Sequence, residues 1–192
     1  MVQRKNVAVI GSGAGSNAEA ICTYALNADC AYAVALIVST SPGAGMYTVA
    51  AAHSIPLRVL DPEKDIAGQI SDLMIEYGIE LLALAGFMKL LPTQIIEQLG
   101  GRVLNIHPAL LPSFGGKGMY GIHVHKAVIA AKALKTGATV HLVTEQYDEG
   151  RIIAQDYVDV PTNCTAQELQ ILVKNVEHRI YPQTISAFLR NT

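Results

Sequence analysis

Short apolar runs recur along the chain, each closed by Gly, Pro or charge. Val7–Ile10, Val34–Val38, Leu57–Leu60, Leu81–Ala85, Val103–Ile106, Val140–Val143 and Ile152–Val160 read as strands. The first four are near-continuously apolar rather than alternating, the pattern of strands covered on both faces. Amphipathic stretches at Asn17–Asn27, Ala44–His53, Asp65–Tyr77 and Thr93–Leu99 separate or follow them. Strand and helix in turn predict an α/β fold with a mostly parallel central sheet and helices on both faces. After Gly137 the pattern changes: the last two strands follow each other across the short turn Glu145–Arg151, so the late strands are expected to pair antiparallel or mixed. A final helix is expected from Thr165, with Glu168 three residues on completing a capping box, and Pro182 is expected to kink or break it.

The chain has 192 residues, a length that favours one domain. With 51% hydrophobic and 16% charged residues it can bury a sizeable core. A net charge of −2 provides no basic field for a phosphate backbone or an anionic membrane, which argues against a nucleic-acid partner. No apolar run reaches the roughly 18 residues of a membrane span, and the start shows no signal-peptide pattern, so a cytoplasmic protein is expected. Cys22, Cys30 and Cys164 are odd in number and lack C-x-x-C spacing; they read as small buried residues.

Gly11-Ser12-Gly13-Ala14-Gly15-Ser16-Asn17 falls between the first strand and first helix. Free backbone N–H groups and the helix dipole make such a turn a natural anion site, with phosphate as the default ligand. From Gly13 the run fits G-x-G-x-x-[GA], but the second strand ends in Val38-Ser39-Thr40-Ser41, without the acidic residue that holds a dinucleotide's ribose. NAD is therefore disfavoured, a phosphate monoester is not, and glycines serving only a tight turn remain the structural alternative.

Asn105 and His107 are two residues apart at the end of the fifth strand, so both side chains point to one face at its carboxyl end. An amide can stabilise an oxyanion and an imidazole can move a proton, which together suit attack on a carbonyl carbon. Asp148, in the turn after the sixth strand, is expected to orient His107 and raise its pKa. The alternative is that Asn105 and His107 satisfy buried backbone groups and Asp148 is a turn residue. His123 and His125 lack a carboxylate or thiolate partner, and a helix beginning there puts them on different faces, so no metal is expected. Lys117 lies outside a P-loop frame and reads as a mobile surface lysine.

Gly13-Ala14-Gly15-Ser16-Asn17, Ala85-Gly86-Phe87-Met88, Asn105-Ile106-His107-Pro108-Ala109-Leu110-Leu111-Pro112, Asp148-Glu149-Gly150 and Glu177-His178-Arg179-Ile180-Tyr181-Pro182 follow one another in this order. With them the chain resembles the phosphoribosylglycinamide formyltransferases over nearly its whole length. The resemblance implies a single formyltransferase domain over 1–192, with a Rossmann-like, phosphate-binding half over about 1–100 and a catalytic, folate-binding half over about 101–192. It implies transfer of a formyl group from the cosubstrate 10-formyltetrahydrofolate to glycinamide ribonucleotide in de novo purine synthesis. Asn105, His107 and Asp148 would be catalytic; Gly13, Ala14, Gly15, Ser16 and Asn17 would hold the phosphate, and Glu177 the ribose. Lys64, Met88, Lys89, Leu90, Leu91, Val143, Thr144, Glu145, Gln146 and Tyr147 would line the folate pocket. Lys89 stands where the family commonly has Arg, and Lys64 is the nearest cation to another absent Arg. The segment from Phe114 to Ile122 is longer than in many relatives and reads as a lid. A formyltetrahydrofolate hydrolase and a non-catalytic nucleotide or folate binder are the alternatives; oligomeric state is left open.

Overall fold

The computed structural model describes residues 4–42 and 44–192. Its elements run β1 (Lys5–Gly11), α1 (Ser16–Ala25), β2 (Tyr32–Ser39), α2 (Ala44–Ala52), β3 (Leu57–Val59), α3 (Ile66–Glu76), β4 (Leu81–Leu84), α4 (Thr93–Gln98), β5 (Val103–His107), α5 (Ile122–Ala130), β6 (Lys135–Leu142), β7 (Ile152–Asp159) and α6 (Ala166–Arg190). The strands form one sheet in the order β3-β2-β1-β4-β5-β6-β7. Pairing is parallel from β3 through β5 and antiparallel at β5–β6 and β6–β7, the mixed late arrangement expected.

Alternation explains why the first strands are apolar throughout. Val7 and Val9 feed a core shared with Ile21 of α1, Met46 of α2 and Val173 of α6, whereas Ala8 and Ile10 feed a second core with Ile70 of α3 and Ile95 of α4. Each residue from Val7 to Ile10 meets a helix layer on one side or the other, so no position in that stretch is left for a polar side chain. β7, at the sheet edge, alternates between half-buried and exposed positions instead.

The last helix departs from expectation. It begins at the Thr165–Glu168 capping box, with Thr165 Oγ1 accepting from the Glu168 N–H and Glu168 accepting from the Thr165 N–H, but it runs unbroken through Pro182 to Arg190. Proline inside a helix costs about 3 kcal/mol. Against that, Leu169, Val173, Val176, Ile180, Tyr181, Ile185 and Leu189 all lie buried along one face, each contributing about 1.5–3 kcal/mol. Tertiary burial outweighs the local break. The cysteine reading needs a smaller correction: Cys22 and Cys30 are buried, but Cys164 is only half-buried, in the turn before α6.

Candidate active site

At the carboxyl ends of β1, β4 and β5 the sheet opens into a cleft of about 630 Å³. One wall is the turn from Ser12 to Asn17. Gly11 passes so close to β4 that a Cβ there would lie 2.2 Å from the Ala85 carbonyl oxygen. Ser12 Oγ then donates to the Gly86 carbonyl at 2.8 Å, tying the turn to the end of β4. Gly15 caps α1 at φ 79°, in the left-handed region that glycine tolerates, and no side chain caps the helix. The first amides of α1 thus stay available for an anion.

Asn105 and His107 line the middle of the cleft. β5 pairs antiparallel with β6 so that Asn105 stands directly opposite His141. The two side chains meet, Asn105 Nδ2 to His141 Nε2 at 3.0 Å. His141 Nδ1 lies 2.8 Å from the Leu142 carbonyl, which can only accept, so Nδ1 carries a proton and Nε2 is the ring atom that meets the Asn105 amide nitrogen. By the same argument His107 donates Nε2–H to the Phe114 carbonyl at 2.8 Å, leaving Nδ1 turned toward Asp148. Asp148 sits between the two imidazoles, Oδ2 at 3.5 Å from His107 Nδ1 and Oδ1 at 3.5 Å from His141 Nε2. The Gly116 N–H also donates to Asp148 Oδ2 at 2.9 Å. Asp148 adopts φ 59°, a conformation Asp tolerates better than most residues and one that turns its carboxylate inward.

Burial changes the expected electrostatics. His107 is 3% exposed, and its desolvation lowers the ring's pKa more than the Asp148 charge and the Phe114 bond raise it. The sequence expectation that Asp148 raises the His107 pKa holds for that one contribution and fails for the sum. Asp148 is itself pushed up by burial, but His141, His107 and the Gly116 N–H together leave it below the ordinary carboxylate range. The resting pair is a neutral imidazole beside a carboxylate.

At the far end of the cleft, Glu177 is buried on α6 and accepts from Asn17 Nδ2 at 2.6 Å. Burial raises its pKa, against the opposing effects of Asn17 and Lys174. Gly13, Ala14, Gly15, Ser16, Asn17, Met88, Lys89, Leu90, Leu91, Asn105, His107, Val143, Thr144, Gln146, Tyr147, Asp148 and Glu177 all line the cleft. Lys64 and Glu145 do not. Lys64 lies in the turn before α3, paired with Asp61 at 3.4 Å, because the β3–α3 connection carries it away from the carboxyl ends of β4 and β5.

The sequence reading missed His141, His125 and Lys174 as lining residues. His141 had a signal, since it shares the parity of Thr139 on β6, but which strand lies beside β5 is not written in β6 itself. Lys174 stands one turn before Glu177 on α6, spacing that puts both on one helix face. The segment expected as a lid contributes Gly116 to Gly121 to the cleft wall. Among the described residues no group of three or more His, Cys, Asp or Glu is arranged to hold a metal, and no helix is long and apolar enough to cross a membrane.

Residues 5–185 match the family model described as formyl transferase. The chain is 39% identical to the phosphoribosylglycinamide formyltransferase, chloroplastic, of Arabidopsis thaliana, over 96% of this chain and 65% of that protein. It thus spans just under two thirds of the plant relative's length. It is 34% identical to the phosphoribosylglycinamide formyltransferase of Bacillus subtilis, over 96% of this chain and 95% of the relative. The solved structure of a phosphoribosylglycinamide formyltransferase from Bacillus halodurans superposes with a TM-score of 0.87 at 35% identity, covering 96% of this chain and 95% of the other. The glycine turn, the Asn105–His107 pair and the Asp148 turn thus sit in a chain that belongs to the formyl transferase family.

Proposed function

We propose that this protein transfers the formyl group of 10-formyltetrahydrofolate to the amine of glycinamide ribonucleotide, a step of purine biosynthesis. The observation that carries this reading is the convergence of Asn105, His107 and Asp148 on one cleft that also contains an uncapped helix N-terminus. A group-transfer centre and an anion site in one cavity suit a phosphorylated nucleophile, and the Bacillus subtilis relative that bears this name is covered almost end to end.

The amides of Gly15, Ser16 and Asn17 would hold the phosphate, and Glu177 the ribose. Met88, Leu90, Leu91 and Val143 offer an apolar slot for a pterin ring, with the 144–148 turn closing it. When the amine attacks the formyl carbon, the N–H of Asn105 that His141 leaves free donates to the developing oxyanion. Neutral His107 accepts the amine's proton on Nδ1, and Asp148 stabilises the resulting imidazolium. The same proton then passes to the departing folate nitrogen as the carbon–nitrogen bond breaks. No metal and no NAD enter this scheme.

The test follows the absorbance of a 10-formyl folate mixed with purified protein, with and without glycinamide ribonucleotide, and with His107→Ala as control. Nucleotide-dependent deformylation lost in the variant is expected. Deformylation that ignores the nucleotide would mean hydrolysis, and tight binding of either ligand without turnover would mean a binding module.

A further inference from the structure

His125 lies in the second turn of α5, 1% exposed, on the cleft wall. Its Nδ1 is enclosed without a hydrogen-bond partner; Nε2 is not among the enclosed atoms, has no protein partner among the described residues, and is the nitrogen left open to the cleft. With Nδ1 sealed off, whatever the ring bonds outside the chain it bonds through Nε2. Its position narrows what that is. His125 is within electrostatic reach of His107, at the group-transfer centre, and of Lys174, beside Glu177 at the phosphate-and-ribose end. A substrate that stretches between those ends passes it with its middle.

Resting on the formyl-transfer reading above, we infer that the Nε2 of His125 hydrogen-bonds a hydroxyl or amide in the middle of the nucleotide substrate, between its phosphate and its reacting amine. Burial, with Lys174 and His107 adding to it, pushes the ring's pKa down to about 4, so it stays neutral near pH 7 and acts as a hydrogen-bonding group, not a second acid. His123, two residues earlier, is exposed and stacks edge-on against Tyr120 instead, so the helix presents only one histidine to the substrate.

The experiment compares wild type with His125→Phe, which keeps the ring shape, and His125→Gln, whose amide reaches the Nε2 position. Calorimetry measures affinity for glycinamide ribonucleotide and for a 10-formyl folate, and inorganic phosphate is tested as a competitor. The expected result for His125→Phe is about three- to tenfold weaker nucleotide binding, the scale of one neutral hydrogen bond, with folate and phosphate affinities unchanged and His125→Gln restoring most of the loss. Nucleotide binding equal to wild type in His125→Phe overturns the inference alone. So does an equal loss for folate or phosphate, which would mark a structural or field effect. Wild-type protein that fails to bind the nucleotide overturns the formyl-transfer reading and this inference with it.

Discussion

The Asn105 amide donates one hydrogen to His141 Nε2, 3.0 Å away across the antiparallel β5–β6 pair. With His141 Nδ1 committed to the Leu142 carbonyl, Nε2 is the ring atom that accepts from the Asn105 amide nitrogen. That fixes which end of the amide is NH2, and so which way its second N–H points. His141 therefore sets the direction of the other Asn105 N–H, which is the oxyanion donor in the formyl-transfer reading proposed above.

Asn105→Ala should lower kcat by about a hundred- to a thousandfold, the usual effect of removing one oxyanion donor, with little change in affinity for either substrate. His141→Phe should cost less, about fivefold, since it frees the amide to rotate rather than deleting it. Steady-state kinetics on both variants check this; a larger effect at His141 than at Asn105 would contradict the assignment of donor and support.

His107 has a pKa below the ordinary 6.5 because burial outweighs Asp148. The acidic limb of kcat/KM should accordingly fall below pH 6.5. Asp148→Asn removes the one charge that raises the ring's pKa, so the limb should move to still lower pH as the rate drops. Stability carries the same sign. A histidine depressed in the folded state lets the unfolded state bind more protons, so stability decreases as pH falls below about 6.5. Asp148, also depressed, contributes stability above its unfolded value that is lost as pH falls through its lowered one. Rate profiles of wild type and variant decide it, and a limb above 6.5 would exclude the neutral resting ring.

Glu177 is buried with a raised pKa, so the folded state holds its proton more tightly than the unfolded one. Its contribution to stability is present at low pH and is lost as pH rises from the unfolded value of about 4.5 through the raised one. Glu177→Gln keeps an acceptor for Asn17 and removes the buried charge. At pH 7 the variant should melt at or above the wild-type temperature yet bind glycinamide ribonucleotide at least tenfold more weakly. Thermal melts and binding isotherms test the two halves separately.

Gly11→Ala should destabilise the fold by about 1–3 kcal/mol or more, because its Cβ would meet the backbone of β4, which cannot yield as a side-chain tip can. Gly13→Ala, in open space one turn on, should cost much less. Urea unfolding of the pair measures the difference.

The strands were legible because each apolar run is bounded by turn chemistry, and the parallel character of the first four because helices cover both of their faces. That Asn105 and His107 share one strand face was legible in their spacing, and the placing of Asp148 beside His107 was legible in the turn after the sixth strand and in a family resemblance. The unbroken α6 was not, since the cost of Pro182 is local whereas the burial that outweighs it comes from β6, β7 and α1. Nor was the position of Lys64, which depends on where the β3–α3 connection runs.

By itself the sequence determined the α/β class, the capped start of the last helix, the glycine turn before α1 and the presence of an amide and an imidazole on one strand face. These follow from periods of 2 and 3.6 residues and from the conformations that glycine permits, all local properties of the chain. Only the tertiary structure decided that His141 faces Asn105, that Asp148 stands between two imidazoles and that His107 rests neutral. Those depend on which strand lies beside which and on how much water the packed elements exclude, and desolvation is a property of the assembled fold that no single residue carries.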